Sequence, residues 1–137
     1  MAAAAAELFI GQGIRTSLET NGPDLLTKEA VCLKASCGAG HLDSIFRGLA
    51  RIDLEKPAPS FEPIRERLEE MEDRESLCTI FFSADARLEF QQLLEKFRKE
   101  KREFIWFCPV NRIIRPEINA GIRPYTRLID VEEGGRL

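Results

Sequence analysis

Residues 77–108 constrain the fold most: LCTIFF, then SADARLEFQQLLEKFRKEKRE, then FIWFC. The two end runs are short, apolar and rich in aromatic residues, which is the pattern of strands covered on both faces. Between them Ala86, Phe90, Leu93, Leu94 and Phe97 recur at helical offsets and paint one apolar stripe. The stretch therefore reads as strand, helix, strand. A crossover of this kind joins parallel neighbours in one sheet and is right-handed in nearly all known cases.

The flanking segments extend this α/β pattern. Residues 2–10 favour helix, because alanine loses no side-chain entropy there, and Gly11 and Gly13 supply the stop. Residues 14–20 alternate like a half-exposed strand, Asn21-Gly22-Pro23 signals a turn, and residues 29–33 read as the antiparallel return strand. After Gly38 and Gly40, the residues Leu42, Ile45, Phe46, Leu49 and Ala50 form a helical core face, with Asp43, Arg47 and Arg51 opposite. A proline-rich connector at 56–59 leads to a second helix. Ser60 reads as its N-cap, Pro63 sits in its first turn, and Phe61, Ile64, Leu68 and Met71 make its apolar side. Glu66, Glu69, Glu70, Glu72 and Asp73 read as its solvated face and tail. Beyond Cys108 the pattern weakens. Residues 117–120 suggest a short helical turn ended by Gly121, residues 125–131 a last strand, and 132–137 a frayed tail.

A chain of 137 residues implies one domain with a real core. Its net charge of −3 argues against a nucleic-acid partner recruited by bulk charge. The basic stretch at 98–102 belongs to a helix end, where cations suit the macrodipole. No run approaches the roughly 20 apolar residues that span a bilayer, and the N-terminus lacks the basic region of a signal peptide. The four cysteines, at 32, 37, 78 and 108, have no zinc or CxxC spacing and read as buried free thiols in a reducing cytosol.

Three positions attract chemical attention. His41, the sole histidine, has no partner at a recognisable spacing and reads as a packing or capping residue. Ser83 and Asp85 follow the carboxyl end of the first parallel strand, where open α/β sheets place ligand crevices. Each also suits the cap of the following helix; the functional alternative is a hard-cation or anion site completed by Ser60. The GQG at 11–13 precedes a strand and is not a dinucleotide fingerprint, and no phosphate loop, GxSxG or HExxH occurs.

The order FIGQGIRTSLETNG, GAGHLDSIFRGLARI, LCTIFFSAD and FIWFCPV resembles the C-terminal part of the bacterial von Willebrand factor A-like proteins catalogued as "domain of unknown function fifty-eight". The match to Gly40-His41-Leu42 and Leu49-Ala50-Arg51 carries the glycine loop and helix end, and the resemblance spans residues 5–131. It implies a three-layer, Rossmann-like α/β domain, mostly parallel with one antiparallel edge strand. Members are encoded beside MoxR-type AAA+ ATPases, are thought to act in chaperone-like assembly or maturation, and many carry N-terminal membrane helices.

The parent fold holds a divalent metal through a DxSxS motif, a Thr or Ser on a second loop and an Asp on a third. By position Ser60 falls at the second loop and Asp85 or Ser83 at the third. The DxSxS motif, its strand and its helix are missing here, so the resemblance implies a partial domain, 1–137. A cation such as Mg is then expected only if the missing loop is supplied. The resulting expectation is a cytoplasmic, non-enzymatic adaptor working with a MoxR-type ATPase, with self-association through an open sheet edge. The alternative is a small α/β ligand- or metal-binding domain or enzyme with its site at Ser60, Ser83 and Asp85.

Overall fold

The computed structural model describes residues 1–55, 60–70, 78–111, 113 and 115–131. The proline connector at 56–59, Met71, Glu72, Asp73, Leu77 and the tail 132–137 lie outside the described residues. The chain divides into two compact units, Met1–Glu70 and Met71–Leu137. The fold is α/β: an antiparallel pair of strands in the first unit and a three-stranded parallel sheet in the second.

In the first unit, α1 (Ala2–Gly11) buries Ala6 and Ile10 against Ile45 of α2 (Ala39–Ala50), with Leu18, Leu33, Leu42 and Leu49 packed around them. Helix α1 stops in a Schellman motif. Gly13 adopts φ +79°, its N–H reaches the Ile10 carbonyl, and the Ile14 N–H reaches that of Phe9. Strand β1 (Thr16–Pro23) then pairs with β2 (Ala30–Ser36), as expected.

The turn lies three residues later than Asn21-Gly22-Pro23 suggests, because those residues belong to β1. Asp24 makes the turn instead, its Oδ1 accepting from the N–H groups of Leu26 and Thr27 at 2.7 and 3.2 Å. Gly22 serves close approach: a Cβ there would lie 2.5 Å from Cγ2 of Ile52. The end of α2 is fastened at the same place, with Leu25 N–H donating to the Arg51 carbonyl and Asp53 N–H to that of Pro23.

Helix α2 buries Ile45 fully and half-buries Leu42 and Leu49, whereas Phe46 and Ala50 are exposed. Its contact with the hairpin runs through Gly48, where a Cβ would meet Val31 at 2.8 Å. This shifts the core stripe by a fraction of a turn from the sequence expectation. Helix α3 (Glu62–Glu70) buries Ile64 and Leu68, and Arg67 ties it to β1 through Glu19 at 2.6 Å.

In the second unit, β3 (Cys78–Phe82), β4 (Glu103–Val110) and β5 (Thr126–Asp130) lie side by side in that order, all parallel. Helix α4 (Leu88–Lys99) covers one face with the stripe read from the sequence: Phe90, Leu93, Leu94 and Phe97 are buried. Ala86 precedes the helix.

The core of this unit is aromatic. Phe81 meets Phe90 edge-on with ring centroids 5.5 Å apart, Phe90 meets Trp106 at 5.1 Å, and Phe97 meets Phe104 at 6.1 Å. Such rings supply most of a small core, truncation of one costing about 3–5 kcal/mol. Trp106 is fully buried, and its indole N–H donates to the Ser83 carbonyl at 2.8 Å.

Helix α4 also ends in a Schellman motif, but with Lys101 at the left-handed position, φ +57°. The Lys101 N–H reaches the Arg98 carbonyl, and the Arg102 N–H reaches that of Phe97. The Arg102 guanidinium then lies 3.8 Å over the Phe97 ring.

Between β4 and β5 the expected helical turn at 117–120 is displaced. Buried Gln91 of α4 accepts from the Asn119 N–H at 2.8 Å and donates to the Glu117 carbonyl at 2.9 Å, which holds that stretch without helix. The turn falls at 120–122 and a 3-10 helix at Arg123–Tyr125, so the last strand starts at Thr126 instead of Tyr125. Pro124 is tolerated in that first turn because its missing N–H has no helical partner there.

No helix among the described residues is long and apolar enough to cross a membrane.

Candidate functional site

The loop after β3 is the first place to look, since Ser83 and Asp85 begin there. Ser83 continues the ladder by one bond, its N–H donating to the Phe107 carbonyl, and its Oγ accepts from the Asp85 N–H at 3.1 Å. Asp85 accepts from the Arg87 backbone N–H at 3.0 Å and from the Arg87 side chain, with Nη2 2.7 Å from Oδ2. The N-cap position of α4 is Arg87, with no side-chain cap bond. Both residues thus shape the loop leading into the helix and do not cap it directly.

The Arg87 guanidinium, followed by the backbone bond, holds the Asp85 carboxyl below its ordinary range. Asp85 is therefore a stable anion already matched by a cation. A metal ion would have to displace that cation.

Strand order bears on the same question. Ligand crevices of open α/β sheets form where the order reverses. In the described sheet the order β3-β4-β5 runs one way. The loops at its carboxyl end hold Asn111, whose Oδ1 accepts from Ile113 N–H at 2.8 Å, and Asp130, paired with Arg115 at 2.6 Å. Both polar groups are engaged, Asn111 within its own loop and Asp130, the last residue of β5, with Arg115 of the β4–β5 connection.

Ser60 belongs to the first unit, while Ser83 and Asp85 belong to the second. Its Oγ accepts from the Glu62 N–H at 3.1 Å, which fits the helix-start role read from the sequence. Among the described residues no three His, Cys, Asp or Glu side chains are grouped to hold a metal ion.

His41 links two elements: its Nε2 lies 2.6 Å from the Thr16 carbonyl oxygen, joining the start of α2 to the start of β1. Of the cysteines, Cys108 alone is buried; Cys32, Cys37 and Cys78 are exposed and all four are free. The expectation of buried thiols fails for those three, because Cys32 and Cys78 lie on strands whose outward positions remain open. Desolvation by neighbouring atoms nonetheless pushes the Cys32, Cys78 and Cys108 thiols up, so each is held protonated and weakly nucleophilic.

Two clefts open on the described surface. In the second unit, Pro116, Ile118, Arg123, Thr126 and Leu128 line about 510 Å³. Its polar groups are used internally: Arg123 donates to the Ile118 carbonyl and Thr126 to that of Ile122.

In the first unit a cleft of about 300 Å³ runs between residues 29–33 and α2, where Ser44, Arg47, Gly48 and Arg51 line it. Asp24 and Thr27 close one end. Its carboxylate Asp24 is held below the ordinary range by the Leu26 and Thr27 N–H groups, aided by Arg51 and Lys28. In the sequence Arg47 and Arg51 simply fall opposite the apolar face of this helix; their four-residue spacing is the one signal there for this cleft.

Comparison with protein-family models, curated proteins and solved structures gives no match to this chain.

Proposed function

We propose that this chain is a partial von Willebrand A-like module that works by binding another protein through its sheet edges, without catalysis. One observation carries the reading. Five strands are split between a pair and a triplet, so β1, β2, β3 and β5 each end a sheet among the described residues. An edge strand presents a row of unpaired N–H and C=O groups and is a template for a strand from another chain. Strand β3, CTIFF, carries no charge and no proline, the residues that blunt such edges.

The resemblance adds a specific form. In a three-layer, Rossmann-like parent with a mostly parallel sheet, the strand missing from this chain is the first. The separation of a pair from a triplet among the described residues is compatible with that form. The element order agrees with that reading: helix, antiparallel pair, two helices, then strand, helix and two strands.

The proposed partner is a MoxR-type AAA+ ATPase or one of its clients, in assembly or maturation. The site alternative at Ser60, Ser83 and Asp85 gains no support from the Asp85–Arg87 pair, which already neutralises the carboxylate.

Two measurements test the proposal. Purified MoxR-type ATPase titrated with the chain should give saturable binding in calorimetry. Light scattering should show reversible self-association that Phe82→Lys, at the exposed end of β3, suppresses. A monomer at high concentration that ignores the ATPase would contradict both parts.

A further inference from the structure

The cleft between β2 and α2 has the form of a strand-accepting groove. Successive side chains of a strand point to opposite faces. Glu29 and the first four residues of β2, 30–33, all line the cleft, and four consecutive strand residues can border one space only along the strand's edge, where their backbone is presented. Strand β2 pairs with β1 alone, so that edge is open among the described residues. The opposite wall is a single helical face: Ser44, Arg47, Gly48 and Arg51.

The arginines set the chemistry. Among the described residues neither Arg47 nor Arg51 takes part in an ion pair. Four residues on a helix advance about 6 Å, and alternate residues on a strand advance about 6.6–6.8 Å. Two same-face side chains of an added strand therefore match the spacing of the two guanidiniums. The carboxylates Asp24 and Glu29 stand at the turn end of the cleft. Asp24 is held by the turn N–H groups and also draws Arg51, whereas Arg47, one turn earlier on α2, has no such carboxylate partner among the described residues.

We infer that this groove binds an extended acidic peptide segment as an added strand on β2, with carboxylates at alternate positions meeting Arg47 and Arg51. The inference rests on the reading of the chain as a protein-interaction module, and it names the groove and the chemistry of the segment. Main-chain bonds to β2 would supply affinity and the paired carboxylates would supply specificity, as in other strand-addition complexes.

The test uses the full chain and a fluorescent octapeptide alternating Glu with Thr, followed by anisotropy and by amide shifts in NMR. Saturable binding is expected, with shifts concentrated at residues 29–33 and along α2. The double charge reversal Arg47→Glu, Arg51→Glu should weaken binding at least tenfold, with circular dichroism unchanged because both side chains are exposed. A peptide N-methylated at alternate positions should lose binding to a similar degree, which simple charge attraction would not produce.

Equal binding of a Lys-Thr octapeptide, shifts centred away from β2, or concentration-dependent self-pairing at β2 in place of peptide binding would each overturn the inference. So would absence of binding. Retained ATPase binding in the doubly reversed chain would then leave the general reading standing, whereas loss of every protein partner would remove both.

Discussion

The Asp85 carboxylate grips the Arg87 guanidinium with both oxygens, Nε lying 2.9 Å from Oδ1 and Nη2 2.7 Å from Oδ2. The pair locks the loop between β3 and α4 and gives Asp85 a structural role. Its depressed carboxyl in the folded state means the pair stabilises the fold above the ordinary carboxylate pKa. That stability is lost as pH falls through the lower, folded-state value. Arg87→Ala should move the Asp85 titration, followed by NMR, back up toward the ordinary range. Because the Arg87 side chain is 76% exposed, solvent screens the pair and the stability change at neutral pH should be small. An unmoved titration would show that the pair does not form in solution.

Gly22 and Ile52 form a steric lock at the end of β1. Gly22→Ala places a methyl 2.5 Å from the Ile52 side chain and should cost about 1–3 kcal/mol in urea unfolding. In the double variant Gly22→Ala, Ile52→Ala the clash disappears. The two effects should therefore sum to more than the double variant loses. Strict additivity would show that Gly22 serves something other than this contact.

Lys101 holds the left-handed place that ends α4, which Gly13 holds at the end of α1. A side chain in that conformation is strained, and glycine is free of the strain. Lys101→Gly should raise the stability of the chain by about 1 kcal/mol, seen as a higher urea midpoint at unchanged slope. A fall in the midpoint would mean that the Lys101 side chain contributes contacts that outweigh the backbone strain.

The second unit was largely legible in the sequence. Phe90, Leu93, Leu94 and Phe97 are apolar at helical spacing, and two aromatic strands flank them, so period alone located the helix and its buried face. The hairpin was legible in kind but not in position. Asn21-Gly22-Pro23 carries strong turn chemistry, yet Gly22 is needed to admit Ile52, and Asp24 supplies the turn. That choice depends on α2 folding back against β1, which local propensity does not contain.

Gln91 was illegible for a similar reason. Its amide is buried on the apolar side of α4 only because residues 117–119 come to satisfy it. At the candidate site, Ser83 and Asp85 read as caps of the following helix or as ion ligands, but α4 starts only after Arg87 and both residues shape the loop before it. Asp85's partner stands two residues ahead in Ala86-Arg87, and the charge pairing could be read there without a fold. The cleft beside β2 was missed because exposed arginines on a helix have a solvated reading until an open strand edge is seen opposite them.

Open sheet edges are the proposed binding surface, and backbone amide exchange tests this most directly. The chain would be measured alone and with saturating MoxR-type ATPase, residue by residue over β1, β2, β3 and β5. Alternate amides of each edge strand should exchange quickly in the free chain and become protected in the complex. Complex formation that leaves all four edges exchanging as before, with protection confined to the Ser83–Arg87 loop or the helices, would contradict it.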